Sequence, residues 1–371
     1  LARACIRDAE VSRFGRRKEG AFELIEEALK DISLSGVDLI LVGSMSLSGG
    51  KNGGNLASRI SDAIGLSHIP SIQIDTASST GAALIHCAAR AVSSQDCDRA
   101  LVVAVDHLSE MASPQATAMM SSVLSEYETR LGCTMHSLAA MTWNIYARRY
   151  GADWRALYSV SSKNHRNGYL NPKAHLRKRI TEEEYTSSRY ISYPLHLYDC
   201  APVSDGAAVA VLERKGDVRI IGIGHGTDTI SLSDRKEMDT FGSTRRAAVS
   251  AYSMAGIAPE EVDFAELHDA FTPLEIISSE DTGIFMKGSG AENALEGNTA
   301  LDGKIPLNPS GGLKARGHPV SVSGLAQIVE CFRQLSHRAG ALQIDGRTGL
   351  AQSTGGFGSN NFVTILKEVK K

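Results

Sequence analysis

Apolar residues recur along the chain at two periods, and the two alternate. Residues Ala21–Asp31 place Phe22, Leu24, Ile25 and Leu29 at helical spacing. The run Val37–Val42 that follows is apolar enough for a strand buried on both faces. Leu56–Ile64 then reads as a helix, Ser71–Asp75 as a strand, Gly81–Val92 as a helix of small residues, and Ala100–Asp106 as another buried strand. This alternation predicts an α/β protein whose parallel strands are joined by right-handed helical crossovers.

The scheme returns in the second half. A strand at Val218–Ile223 precedes a helix at Ser243–Ala255, a strand at Val262–His268, a long helix at Val320–Leu335, and strands at Gly349–Gln352 and Phe362–Leu366. In both halves a helix runs through Gly to a Val-Asp pair and a strand, at Gly36-Val37-Asp38 and at Gly256 with Val262-Asp263. A repeat at about half the chain length predicts two duplicated halves, residues 1–215 and 216–371. Two buried helices would then lie between two sheets. Ser109–His196 breaks the pattern with Met111, Met119 and Met120, an aromatic stretch from Trp143 to Trp154, and a basic run from Lys163 to Arg179. It reads as an inserted loop domain draped over the first half, of the kind that often forms a lid.

Composition narrows the function classes. Of 371 residues 42% are hydrophobic and 22% charged, which fits a globular chain large enough for two domains. A formal charge of −3 excludes the basic field a nucleic-acid binder needs. No apolar run reaches the ~18–20 residues that span a bilayer, so no membrane partner is expected. Leu1-Ala2-Arg3 carries no signal-peptide pattern, and a cytoplasmic location is expected. The six cysteines (Cys5, Cys87, Cys97, Cys133, Cys200, Cys331) are scattered and clear of histidine clusters, which predicts neither a metal site nor a disulfide framework.

Four segments carry candidate chemistry. In Asn308-Pro-Ser-Gly-Gly-Leu-Lys-Ala-Arg-Gly-His318-Pro319, glycines let the backbone approach a ligand, and His318 precedes a helix whose first turn accommodates Pro319. An imidazole held there suits a general base; alone, it is equally a turn histidine without a role. Glu266-Leu267-His268-Asp269-Ala270-Phe271 ends an apolar strand, where open α/β sheets bind ligands; the plainer reading is an N-cap by Asp269. Asp75-Thr-Ala-Ser78-Ser79-Thr80-Gly81 turns a strand into a helix. Ser78 is there either a simple cap or a nucleophile served by the helix dipole and free N–H groups. Ser353-Thr354-Gly355-Gly356-Phe357-Gly358 is a glycine turn that could aim the Gly356 N–H at a substrate carbonyl.

In this chain order the four segments resemble the thiolase superfamily. Asn308–Pro319 is similar to its NPxGGxxxxGHP segment, and His268-Asp-Ala-Phe resembles the HDxF box of the sterol-carrier and archaeal branch. Lys163-Asn-His-Arg-Asn, Leu170-Asn-Pro-Lys-Ala and Tyr198-Asp-Cys-Ala-Pro-Val-Ser-Asp-Gly-Ala resemble acetyl-CoA acetyltransferase-like thiolases. The resemblance implies a five-layered αβαβα fold and a loop domain covering coenzyme A. It implies an acyltransferase of lipid metabolism acting on short 3-oxoacyl-CoA, with the CoA thioester as substrate and no permanently bound cofactor. It also implies a homodimer or tetramer, paired here through an edge strand at Ala100–Asp106, and the company of a small OB-fold, zinc-ribbon partner protein. Catalytic positions would be Ser78, His268, His318 and Gly356, with Arg177 and Lys178 of the basic run meeting the CoA phosphates; a solvated face is the plainer reading of that run.

One departure is serious. Ser78 stands where the family carries its nucleophilic cysteine, and the positions of a second cysteine hold Ala270 and Ser353 or Thr354. A thiolate forms near neutral pH, whereas a serine hydroxyl attacks only as a base removes its proton, and its acyl ester is a weaker donor. Cys87, nine residues on and about two and a half helical turns away, is expected in the core. Ser78 is therefore a substitution that traps a complex, a working nucleophile, or the mark of different chemistry. A CoA-ester lyase that cleaves an aldol without a covalent intermediate, and a non-catalytic subunit, are the alternatives.

Overall fold

The computed structural model describes residues 4–48, 54–109, 111 and 113–369; Leu1-Ala2-Arg3 lies outside them. The strands are β1 (Cys5–Val11), β2 (Leu39–Gly43), β3 (Ser71–Gln73), β4 (Arg99–Asp106), β5 (Tyr190–Ser192), β6 (Leu195–His196), β7 (Gly206–Glu213), β8 (Val218–Thr227), β9 (Phe264–Glu266), β10 (Thr348–Gly355) and β11 (Asn360–Glu368). All but the β5–β6 hairpin form one mixed sheet, ordered β3-β2-β4-β7-β1-β8-β11-β10-β9.

A four-strand unit occurs twice in that order, as β2-β4-β7-β1 and as β9-β10-β11-β8. In each the first pair is parallel and the next two are antiparallel. Beside β2 lies parallel β3; beside β9 lies a parallel bridge between Ala265 and Leu307. From each of these the chain goes on to a helix that starts with a 3-10 turn: Ala77–Ser79 into Thr80–Ser94, and Val320–Val322 into Ser323–Leu335.

Strand periodicity builds the layers. In β4, Ala100, Val102 and Ala104 face the helix Thr80–Ser94, while Leu101, Val103 and Val105 face the helix Ala21–Leu29 and its neighbour Leu56–Ala63. In β11, Phe362 and Leu366 face the central helices, and Val363 and Ile365 face the helix Gly242–Ala255. The result is five layers, with two helices in the middle. The two sheets expected there are not separate, however. The short connection from β7 to β8 brings the start of β8 alongside β1, and the pairs Cys5–Arg219 and Ile6–Val218 join the halves into one ladder.

The central helices touch backbone to backbone. A Cβ on Gly81 would lie 2.2 Å from Leu325 N, and one on Gly324 would lie 2.8 Å from Ala82 N. Two glycines therefore set the closeness of the crossing.

Three further expectations are corrected. β4 is an interior strand, bonded on both edges to β2 and β7, so Ala100–Asp106 has no free edge for dimer pairing. The insertion shares its hydrophobic core with the second half instead of the first: Leu138, Trp143, Tyr146 and Leu157 pack with Leu232, Phe241, Phe271, Leu274 and Phe357. Cys87 is exposed, on the side of its helix turned from the core. Two strands of the large sheet had no distinct sequence signal: β1 is interrupted by Arg7, Asp8 and Glu10, and β7 is rich in alanine.

Gly81→Ala drives a methyl into a backbone that cannot yield, and is expected to cost ~1–3 kcal/mol or more. Gly54→Ala, where nothing lies within 4 Å, serves as the control and should leave the urea midpoint nearly unchanged.

Candidate active site

Ser78 sits in the turn that opens the first central helix. The residue before it, Ala77, is held at φ 55°, a left-handed conformation unfavourable for a residue with a side chain. Local bonds hold it there: Ala77 N donates to Asp75 Oδ1 (2.8 Å), Thr76 N to Thr80 Oγ1 (2.8 Å), and Ser79 Oγ to Thr76 O (2.8 Å). Among the described residues, the Ser78 hydroxyl itself has no hydrogen-bond partner.

His318 precedes the equivalent turn of the second central helix. Its N–H donates to Ser204 Oγ (3.1 Å), and its Nδ1 lies 2.7 Å from Ser323 Oγ. Ser323 Oγ donates to Pro319 O (2.9 Å), so it accepts from Nδ1–H and leaves Nε2 with the lone pair. Burial, then the positive charge of Arg316, push the His318 pKa down to about 4. The ring is neutral at pH 7, as a general base must be.

His268 stands at the end of β9, its ring 5.5 Å from that of His318 and nearly perpendicular to it (89°). Burial, then His318 and Arg316, hold its pKa well below the usual imidazole range. Its N–H donates to Gln352 Oε1 (3.1 Å), while its Nδ1 is buried without a partner among the described residues.

A buried polar network joins the two histidine segments. Asn308, at φ 51°, accepts from Leu267 N (2.8 Å) and donates to Glu275 Oε2 (2.6 Å). Lys163 Nζ meets Glu275 Oε1 (2.6 Å) and Leu307 O (2.7 Å), and Asn164 Nδ2 bridges Asp269 (2.7 Å) to Glu275 (2.8 Å). Asp269 does cap a helix start, but not that of its own downstream helix. It accepts from Leu313 N (2.6 Å) and Lys314 N (3.3 Å), in the segment leading to His318. Burial, then the facing Glu275, raise its pKa to about 7. Glu266 is likewise raised to about 7 by burial, against the opposing pull of the fully buried Arg316, 3.4 Å away.

Ser78, His268, His318 and Gly356 all line one cavity of about 220 Å³, whose walls are otherwise mainly apolar, including Met45, Met120, Val123, Phe271, Leu274 and Phe357. Gly356 contributes a backbone turn at φ 59°. Arg177 and Lys178 do not line it: Arg177 reaches Tyr169 O (3.4 Å), and Lys178 pairs with Glu184 (2.5 Å). None of the six cysteines lines the cavity. Among the described residues no group of three or more His, Cys, Asp or Glu could hold a metal ion. The sequence reading missed Ser323 and Ser204, which hold His318, and a third cavity histidine, His136. Ser323 could have been found five residues after His318 on the following helix; Ser204 and His136 are placed only by tertiary packing.

With two apposed histidines on two repeated helix-and-strand units, the chain belongs to the thiolase family. The Thiolase, N-terminal domain, model matches residues 17–216, and the Thiolase C-terminal domain-like model matches residues 224–368. The chain is 34% identical over 371 residues to an acetyl-CoA acetyltransferase of Methanothermobacter thermautotrophicus, covering 96% of this chain and 97% of that one. It is 31% identical to the benzoylsuccinyl-CoA thiolase subunit BbsB of Thauera aromatica, over 93% of this chain and 92% of the other. Among solved structures, an Ltp2-ChsH2(DUF35) aldolase superposes with TM-score 0.85 at 21% identity, covering 99% and 98% of the two chains. Human mitochondrial 3-ketoacyl-CoA thiolase does so with TM-score 0.74 at 15% identity, covering 99% of each.

The buried neutral His318 makes stability pH-dependent. Its folded pKa of about 4 lies below the ordinary 6.5, so between those values the unfolded chain binds more protons. This contribution is intact above pH ~6.5 and is lost as pH falls towards ~4. Urea denaturation of wild type and His318→Gln at pH 7.5 and 5.5 should show wild type losing more stability on acidification.

Proposed function

We propose that this thiolase-family enzyme makes or breaks the bond between the α- and β-carbons of a short CoA thioester, with His268 and His318 moving the protons. The observation that carries this reading is the pair of neutral imidazoles, 5.5 Å apart, in one apolar cavity. A neutral imidazole can take an α-proton, and a water-poor wall strengthens any dipole that meets the enolate. In the acyl-transfer form on a short 3-oxoacyl-CoA, His318 Nε2 takes the Ser78 proton, Ser78 Oγ accepts the acyl group, and His268 serves the α-carbon. The N–H groups of Ser78 and Gly356 would face the oxygen of the acyl group that Ser78 accepts.

A second reading is favoured by the state of Ser78. With no bond to either histidine among the described residues, and no cysteine in the cavity, the pairing that activates a nucleophile is missing. A lyase needs no such pairing: one histidine removes the proton of a β-hydroxyl, the α–β bond breaks, and the other protonates the enolate. The solved aldolase of the same fold bears a name of that class, joined with a second component, and a small partner subunit fits the same proposal. The division into halves near residue 215, a homodimer or tetramer, a cytoplasmic location, and a phosphate role for Arg177 or Lys178 belong to the proposal as well.

Solvent exchange tests the common core. Wild type should wash deuterium into the α-position of a bound acyl-CoA, and His268→Ala should slow this by ~10²–10⁴-fold; exchange that survives the loss of each histidine in turn defeats the proposal. Acyl transfer is tested by Ser78→Cys, which should raise acetoacetyl-CoA thiolysis by orders of magnitude and show an acetyl adduct by intact-protein mass spectrometry. An inert variant with normal α-exchange leaves the lyase form.

A further inference from the structure

The cavity holds a third imidazole that this proton-transfer scheme leaves idle. His136 lies in the first turn of the helix Met135–Tyr150, whose start is fixed by reciprocal bonds between Thr134 and Ser137. Its ring meets the edge of Phe271 at a centroid distance of 5.1 Å and lines the same cavity as Ser78, His268 and His318. Among the described residues no hydrogen bond reaches either ring nitrogen, and neither nitrogen is fully buried. Accessible and unpaired within the protein, the ring keeps a donor and an acceptor to offer, which a leucine packed against Phe271 would not. The placement makes sense when a ligand supplies the missing bond.

The direction of the ligand follows from the chain. Phe271 comes three residues after His268 on the same strand-end turn. An acyl chain whose α-carbon meets His268 and which follows the Phe271 ring comes to His136, packed on that ring. The charge of the ligand group follows from the walls. Among the described residues neither Arg nor Lys lines the cavity, so a carboxylate entering it would stay unpaired. Burial also lowers the His136 pKa, keeping the ring neutral with one donor and one acceptor.

We propose that His136 is a specificity-determining residue that hydrogen-bonds an uncharged oxygen, a hydroxyl or carbonyl, carried on the acyl chain beyond its β-carbon. The enzyme would thus select oxygenated acyl groups over plain hydrocarbon ones. This rests on the reading of the cavity as a CoA-thioester site. Calorimetric titration with butyryl-CoA, 4-hydroxybutyryl-CoA and succinyl-CoA, matched at four acyl carbons, tests it. Wild type should bind the hydroxy thioester about 5- to 100-fold more tightly than butyryl-CoA, with succinyl-CoA the weakest. His136→Leu should bring the hydroxy and plain thioesters level, and His136→Asn, which keeps a donor and an acceptor, should retain most of the preference. Equal binding of the two by wild type, or a preference that survives in His136→Leu, overturns the proposal and leaves the CoA-thioester reading standing. Should His136→Leu fail to fold, loss of the preference in His136→Asn overturns it. If wild type binds none of the three, the CoA-thioester reading falls and takes this inference with it.

Discussion

The near-contact of two helix backbones at Gly81 and Gly324 governs where everything else lies. Ser78 precedes Gly81 by three residues, and His318 precedes Gly324 by six, so the closeness of the helices sets the closeness of the two groups. Any side chain at either glycine would force the helix starts apart. The small residues that β4 turns towards this layer, Ala100, Val102 and Ala104, let the sheet approach the first helix in turn.

The polar network under the cavity has a different task. It buries Lys163, Glu275, Asp269, Glu266 and Arg316, which is costly unless each group finds partners. In return it ties the strand end carrying His268 to the loop carrying His318, through Asn308 and Asp269. Among the described residues the imidazoles themselves are left out of this network, and the His318 ring bonds to Ser323 instead. That separation keeps them neutral: a carboxylate bonded directly to either ring would stabilise its protonated form.

Much of this was legible in the sequence. Apolar runs and helical spacing located the strands of the large sheet other than β1 and β7, and the helices packed on them, within a few residues, because most of those strands are buried on both faces and their outer helices are amphipathic. Three of the four chemical segments carry an unusual backbone: Gly356 at positive φ, Asn308 likewise, and Ala77 before Ser78. What escaped was set by contacts distant in sequence. β7, with alanines against both helix layers, shows no propensity of its own. The insertion gives no sign of which half it covers, since its core partners at Phe271, Leu274 and Phe357 are more than a hundred residues away. The partner of Lys178 is Glu184, one of the acidic residues that directly follow the basic run.

The duplicated architecture ends in an asymmetry. Counting back from the two crossing glycines, Ser78 has an exact structural counterpart in Ser321. Ser321 is committed to structure, its N–H and hydroxyl both donating to Asp106 Oδ2 (2.6 Å each), while the same Asp106 accepts from Ser44 and Ser46 through its other oxygen. One serine is thus a rivet between the halves and its twin is left loose at the cavity. A fold made of two like units needs only one open position, and anchoring the other spares it a second, competing mouth.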